Sequence, residues 1–150
     1  MDYEVSLLTV AEQPIAAARQ RTTFKMVSRE IQGLLSGPWA FVRSHPGLWI
    51  RGCNVAIYWD PPAEGSVEVG IQVTSSFEGS DEVVCSATPA AKVAMTTHFG
   101  PYSGLGAAHQ AVRVWCRENG HTLLSPHWEI YGHWNDDPAK VRTDVLYRLS

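Results

Sequence analysis

The sequence predicts an α+β fold built from two copies of a strand–strand–helix–strand–strand unit that share one antiparallel sheet. The same order of apolar patterns occurs over about residues 1–75 and about residues 82–150. In each half the pattern changes from the two-residue period of strands to the helical period and back. We therefore expect a single domain over 1–150, with the helices on one side of the sheet and a central ligand cleft between the halves.

The first half contains four predicted strands and one helix. Alternating or continuous apolar residues between turn signals predict strands over 3–10, 15–22, 54–60 and 67–74. The connecting turns are expected at 12–14 and 61–66. Apolar residues at helical spacing over Phe24–Leu35 predict the helix. Thr22 or Thr23 is placed to cap its start, and Gly37-Pro38 is expected to end it.

The second half follows the same order. Its strands are predicted over 82–88, 92–99, 127–133 and 143–149, with turns at 89–91 and 135–138. Ser103 is placed to cap the second helix. One face of this helix carries Leu105, Ala108, Val112 and Trp115. Asn119-Gly120 is expected to end it in the left-handed conformation, with Arg113 and Arg117 near its C-terminus.

Composition and charge exclude several classes of function. Hydrophobic residues make up 45% of the 150 residues, so a packed globule is expected. A formal net charge of -3, without a basic cluster, argues against a direct nucleic-acid or anionic-membrane partner. The apolar runs are too short to span a membrane. Acidic residues near the N-terminus and three scattered cysteines, outside any CxxC pair, predict a cytoplasmic protein with reduced thiols.

Three motifs carry a resemblance to a known family. They lie within Ala94–Leu105 (H-x-G-P-Y), Trp115–Gly120 (W-x-x-x-N-G) and Trp128–Tyr131 (W-E-x-Y). In this order and spacing they resemble the GyrI-like (gyrase-inhibitor-like) effector-binding domain. That family also supplies the ligand-binding domains of several multidrug-responsive transcription regulators. The resemblance covers the whole chain, strongest from Val83 onward and faint through Trp39–Arg51.

Glu129 is the first candidate for the site. Strand alternation places Glu129 and Tyr131 on one face and Trp128 and Ile130 on the other. From the residues alone, the carboxylate lies either on a solvated face, which is the commoner case, or is deliberately buried. The resemblance implies the buried position, at the bottom of the pocket. A desolvated carboxylate is expected to have a raised pKa, and to attract a cation or act as a general acid.

Tyrosines form the second group of candidates in a chain with six Trp, five Tyr and four Phe. Tyr58 and Tyr131 occupy equivalent positions in the two halves, so we expect them to face the cleft from opposite sides. Tyr147 on the last strand is expected to join them. Aromatic walls around a carboxylate suit a delocalised cation through stacking and cation–π attraction. The alternative to a ligand-binding role is that all three are core tyrosines whose hydroxyls are hydrogen bonded within the protein.

Three further residues are weaker ligand-binding candidates. Trp39 and Phe41 follow the first helix, in a predicted loop that runs to Gly52, where they form either a lid of the cleft or a hydrophobic anchor. His98 presents an imidazole to the pocket or is simply a packed or surface residue. Gly100-Pro101-Tyr102 is first of all a strand-to-helix turn.

Metal and cofactor sites are not expected. His127 and His133 lie near Asp136 and Asp137 in the sequence, but six residues of strand separate the two imidazoles by roughly 20 Å. They therefore cannot share an ion. The nucleophile-elbow, phosphate-loop, dinucleotide and H-E-x-x-H motifs are all missing from the sequence.

Three functions remain open. The first is a stand-alone binding module that sequesters or senses drug-like or planar molecules. The second, which the resemblance implies for some branches of the superfamily, is a hydrolase that opens cyclopropane rings of DNA-alkylating natural products. Its catalytic residues would be Glu129, as general acid or water activator, and Tyr131 or Tyr58, polarising a carbonyl. The third is a protein-interaction role with an unknown partner, such as protecting or inhibiting a topoisomerase.

Overall fold

The computed structural model describes residues 3–22, 27–59, 65–80, 82–133 and 136–150. Its strands are Ser6–Val10 (β1), Gln13–Thr22 (β2), Asn54–Trp59 (β3), Gly65–Gln72 (β4), Val84–Thr88 (β5), Ala91–Phe99 (β6), Leu123–Tyr131 (β7) and Arg142–Leu149 (β8). Its α-helices are Val27–Arg43 (α1) and Leu105–Glu118 (α2). Short 3-10 turns occupy Tyr102–Gly104 and Pro138–Lys140.

All these strands form one antiparallel sheet in the order β1-β6-β8-β7-β3-β4-β2-β5. The order is symmetric about the central β3–β7 pair. Each strand of the first half lies as far from this centre as the corresponding strand of the second half, as β1 and β5 do at the two edges. The predicted fold class, two β-β-α-β-β units in one antiparallel sheet, is confirmed. The two units meet where β3 pairs with β7, so residues at this pair come from both halves of the chain.

Both helices cover the same face of the sheet. Ala56 of β3 and Val145 of β8 lie directly opposite Glu129 of β7 and therefore share its face. Leu34 of α1 packs on the cluster that contains Ala56, and Val112 of α2 belongs to the cluster that contains Val145. Glu129 thus lies under the helical layer.

The opposite face is closed by the sheet itself. Trp128, only 1% exposed, packs there with Ile57 from the neighbouring central strand. Val10 of β1 and Val84 of β5 pack against the same cluster although they belong to the two edge strands. The sheet therefore curls, and both of its faces are buried near the centre.

Helix α1 extends beyond its predicted end. Gly37-Pro38 does not stop it: Pro38 lies inside the helix, which continues to Arg43. The helical continuation buries Val42 against Ile71 of β4, together with the partly buried Trp39. Tertiary packing therefore outweighs the loss of one backbone hydrogen bond at proline. Trp39 and Phe41, predicted in a loop, are helical residues.

The start and end of α2 differ in how well they follow the prediction. Ser103 does not cap the helix, because it belongs to a 3-10 turn and the capping position falls on Gly104 without a side-chain bond. The predicted end is confirmed: Gly120 has a φ of 73°, and the amide of His121 donates to the carbonyl of Cys116 over 2.9 Å.

Strand β7 begins and ends earlier than the predicted 127–133. Its pairing with β8 shifts register between Leu124 and His127, on either side of Pro126, which lacks a backbone donor. The shift precedes Glu129, so the predicted alternation around that residue is retained. His133 lies outside the strand.

Some predicted features lie outside the described residues. These are Thr23 and Phe24 at the start of the first helix, most of the turn at 61–66, and Asn135. Thr22 is the last residue of β2. Within the described ranges, neither helix is long and apolar enough to cross a membrane.

Candidate functional site

The carboxylate of Glu129 is buried and hydrogen bonded on both oxygens. Its side chain accepts the hydroxyl of Tyr58 at 2.6 Å and that of Tyr131 at 2.8 Å, both on Oε1. Its Oε2 lies 2.9 Å from Nε2 of His109. Glu129 is only 4% exposed. Because an ionised carboxylate only accepts hydrogen bonds, Nε2 of His109 is the donor in this contact.

Three elements from both halves of the chain supply these donors. Tyr131 lies two residues beyond Glu129 on β7 and therefore on the same face. Tyr58 comes from β3, where it lies opposite His127, two pairs along from Glu129 and therefore on the same face. His109 reaches down from α2. The site therefore forms only when the two halves and the helix are docked.

The pKa of Glu129 is lowered, whereas the sequence predicted a raised pKa. Burial works to raise the pKa, as the sequence analysis expected. The hydrogen bond and charge of His109, with the hydroxyls of Tyr58 and Tyr131, outweigh burial and lower the pKa below the ordinary value of 4.5. The expectation of a raised pKa is therefore wrong, and at neutral pH the carboxylate is ionised.

The two tyrosines that donate to Glu129 remain protonated. Burial raises the pKa of Tyr58, and the adjacent charge and hydrogen bond of Glu129 raise it further. The same causes raise the pKa of Tyr131 well above its ordinary value. Both phenols are therefore permanent donors that stabilise the carboxylate.

A series of hydrogen bonds links the buried carboxylate to the surface. The Nδ1 atom of His109 lies 2.7 Å from the hydroxyl of Tyr147, which also accepts from Nη1 of Arg113 at 3.2 Å. Arg113 is exposed. Arg113 donates to Tyr147 at one end of this series and Nε2 of His109 donates to Glu129 at the other, so the buried carboxylate is connected to an exposed cation.

Aromatic rings form a stack beside this network. Tyr58 stacks on His127 at 5.0 Å between ring centres, and His127 stacks on Tyr147 at 4.7 Å. His109 meets His127 edge to face at 5.7 Å. The structure therefore brings the three candidate tyrosines together around Glu129 and His109.

His109 is the residue that the sequence analysis missed. One signal pointed to it: His109 lies between Leu105 and Val112 at helical spacing, on the border of the buried stripe of α2. A polar residue on that border is placed to reach over the sheet. Its partner Glu129 lies 20 residues away and cannot be identified from the pattern alone.

A cavity of about 200 Å³ lies beside the carboxylate network. Tyr131 belongs to both, since it lines the cavity and its hydroxyl donates to Glu129. Trp39 meets Trp49 edge to face at 5.2 Å, and Nε1 of Trp49 donates to the carbonyl of Gly52 at 2.9 Å. The full lining is Trp39, Trp49, Gly52, Cys53, Asn54, Tyr131, Gly132 and His133.

The cavity is not lined by a reactive nucleophile. Burial raises the pKa of Cys53, and the charge of Asp144 raises it further, against the opposing effect of Arg142. The thiol is therefore neutral at physiological pH, and a thiol is a poor nucleophile compared with its thiolate.

Two predicted ligand-binding residues lie elsewhere. Phe41 stacks on His45 at 4.1 Å between ring centres. Both ring nitrogens of His98 are hydrogen bonded, to the hydroxyl of Tyr3 at 2.8 Å and to the carbonyl of Pro101 at 2.9 Å. Neither residue lines the cavity or contacts the carboxylate of Glu129. Across the described ranges, the His, Cys, Asp and Glu side chains form no cluster of three that could hold a metal.

Comparisons with known proteins identify the family and the fold. A model of the GyrI-like small molecule binding domain matches residues 3–150. The crystal structure of the EcmrR C-terminal domain has a TM-score of 0.81 at 22% identity, covering 100% of this chain and 99% of that chain. No curated protein matches the chain significantly.

Two further solved structures share the fold at lower identity. SAV2435 bound to tetraphenylphosphonium has a TM-score of 0.72 at 10% identity, covering 100% of this chain and 94% of that chain. A hydrolase from Listeria innocua has a TM-score of 0.63 at 12% identity, covering 98% of this chain and 92% of that chain. At these identities the likeness is one of fold.

Proposed function

This chain belongs to the GyrI-like family of small-molecule binding domains, and on that premise we propose that it binds flat organic cations. Glu129 supplies the counter-charge. Tyr131, Trp39 and Trp49 supply aromatic walls. The ligand enters at the cavity beside Tyr131, which is lined by residues from both halves of the chain.

The observation that carries this proposal is an ionised carboxylate buried next to a cavity whose lining includes Trp39, Trp49 and Tyr131. The lowered pKa of Glu129 keeps a negative charge in a place where water is largely excluded. Charges interact more strongly there than in water, and a cation over an aromatic face gains further attraction. One neighbour in fold, SAV2435, was solved with an organic cation, tetraphenylphosphonium.

The size of the cavity limits how the ligand is held. Pockets for drug-sized molecules measure roughly 300–1,000 Å³, whereas this cavity measures about 200 Å³. It therefore holds one ring system rather than a whole drug-sized molecule. The cationic end lies toward Tyr131, behind which Glu129 is placed.

Fluorescence titration with proflavine, a flat tricyclic cation, tests the proposal. We expect saturable quenching of tryptophan emission, because Trp39 and Trp49 line the cavity. Anthracene, a neutral tricyclic of similar outline, is the matched probe and should bind at least about tenfold more weakly, the factor expected for one charge-assisted contact. Equal binding of the two would contradict a role for charge.

A hydrolase is the second candidate, favoured by the ionised state of Glu129. An ionised carboxylate can take a proton from water. The water oxygen then attacks a strained cyclopropane carbon. The ring carbon–carbon bond breaks at the same time, and its electrons move to a conjugated carbonyl. The proton returns to the product, which gains one water. The lowered pKa favours this water-activating role over the general-acid role.

Two observations favour binding over hydrolysis. Three donors already occupy Glu129, so a carboxylate with about four acceptor positions has little room for an attacking water. The hydroxyls of Tyr58 and Tyr131 point to Glu129 rather than to a substrate carbonyl. Incubation with a cyclopropane-containing alkylating compound, followed by mass spectrometry, decides between the two. A gain of one water in the wild type alone, and not in Glu129→Gln, would establish the hydrolase.

A further inference from the structure

Two buried oxygen atoms flank Tyr131 without a hydrogen-bond partner. Tyr131 pairs with Asn54 of β3 on one side and with Thr143 of β8 on the other, so the three side chains form one row across the sheet. The Oδ1 atom of Asn54 and the Oγ1 atom of Thr143 are both buried and unpartnered. Buried polar atoms are almost always hydrogen bonded, so this pair is unusual.

Only one of the two residues lines the cavity. Asn54 is part of the lining, beside Trp49 and Tyr131, whereas Thr143 is fully buried and is not. An amide can turn about its terminal torsion, which has a broad energy profile, and so exchange the positions of its oxygen and nitrogen. Turning brings the buried Oδ1 of Asn54 to the cavity and moves the amide nitrogen into the buried position, so a donor in the cavity gives this oxygen the partner that it lacks.

We propose that Asn54 selects ligands that carry an N–H donor on their ring system, such as aromatic amines and amidines, over fully alkylated analogues. This inference rests on the proposed function, because it concerns a ligand held in the same cavity. The aromatic walls and Glu129 attract any flat cation, while the acceptor of Asn54 distinguishes among them. A ligand with an N–H donor gains this hydrogen bond, whereas a ligand without one leaves Oδ1 unpaired, as it is in the free protein.

Proflavine and acridine orange form a matched pair of probes for this inference. Both are flat cations with the same tricyclic ring, but each exocyclic nitrogen carries two hydrogens in proflavine and two methyl groups in acridine orange. Wild-type protein should bind proflavine about tenfold more tightly, the factor expected for one hydrogen bond. In Asn54→Leu the ratio of the two dissociation constants should fall to near one.

Thr143→Val is the matched control. It removes the other unpartnered oxygen beside Tyr131 at nearly constant shape, and it should leave the ratio at about tenfold. Asn54→Ala serves as a second variant if Asn54→Leu fails to fold. In this variant, too, the ratio of the two dissociation constants should fall to near one.

Each outcome separates this inference from the proposed function. If both dyes bind and the ratio is the same in wild type and Asn54→Leu, Asn54 is not the selecting residue although the proposed function stands. A loss of the ratio in Thr143→Val as well would equally contradict a specific role for Asn54. If neither dye binds the wild type, the proposed function fails and this inference fails with it.

Discussion

The hydroxyl of Tyr131 donates to Oε1 of Glu129 over 2.8 Å, while the same tyrosine lines the neighbouring cavity. One residue thus belongs both to the buried carboxylate network and to the lining of the cavity. The carboxylate remains ionised because hydroxyl and imidazole donors surround it. Under the proposed function, we expect a cation in the cavity to be attracted by this charge and by the aromatic residues of the lining.

Replacement of His109 tests how the charge is maintained. In His109→Leu, Glu129 loses the donor on Oε2, so burial dominates and the pKa of Glu129 should rise. The affinity for proflavine should then begin to fall at a higher pH than in the wild type, which pH titrations of binding measure. His109→Gln keeps an N–H donor and should restore part of the wild-type profile. Identical acid profiles in all three proteins would contradict this role for His109.

The stability of the protein should depend on pH through Glu129. Because its pKa in the folded state lies below the ordinary value, the folded protein binds fewer protons here than the unfolded chain. The stabilisation is present above pH 4.5 and is lost as the pH falls through the lower, folded-state pKa. Urea unfolding below pH 4.5 should show a steeper loss of stability for the wild type than for Glu129→Gln. Parallel curves would mean that folding does not lower the pKa of Glu129.

A second buried glutamate should affect stability without affecting binding. The side chain of Glu68 is fully buried on the face opposite Glu129 and accepts from Nη2 of Arg19 at 3.2 Å and from the indole of Trp59. Since Arg19 is 59% exposed, solvent weakens the pair. We expect Arg19→Met to reduce the free energy of unfolding by about 1–2 kcal/mol, with proflavine binding unchanged.

The matched control for Arg19→Met is Arg142→Met. Arg142 pairs with Asp144, whose side chain is 19% exposed rather than buried, so its loss should reduce stability by less than about 1 kcal/mol. Equal effects of the two substitutions would mean that the burial of Glu68 adds nothing to its ion pair.

The fold class follows from local patterns because each strand and helix buries one regular face. Val67, Val69, Ile71 and Val73 alternate in the sequence, and all four are buried. The end of α1 did not follow from local pattern, since Gly37-Pro38 is a strong stop signal that the packing of Val42 overrides. Such an outcome depends on contacts with distant strands, which a local signal does not contain.

The site was only partly predictable for a related reason. The alternation along β7 placed Glu129 and Tyr131 on one face, and the structure has them there. The contact with His109 depends on how α2 docks on the sheet, which helical spacing does not determine. The lowered pKa of Glu129 was missed for the same reason, because its largest opposing contribution comes from His109.

The central claim is that the charge of Glu129 binds the cation, and proflavine titration of Glu129→Gln at neutral pH tests it most directly. Glu68→Gln is the matched control, since it neutralises another buried carboxylate on the other face of the sheet. The account predicts that Glu129→Gln binds at least about tenfold more weakly than wild type, while Glu68→Gln retains wild-type affinity. Wild-type affinity in a folded Glu129→Gln protein would contradict the account.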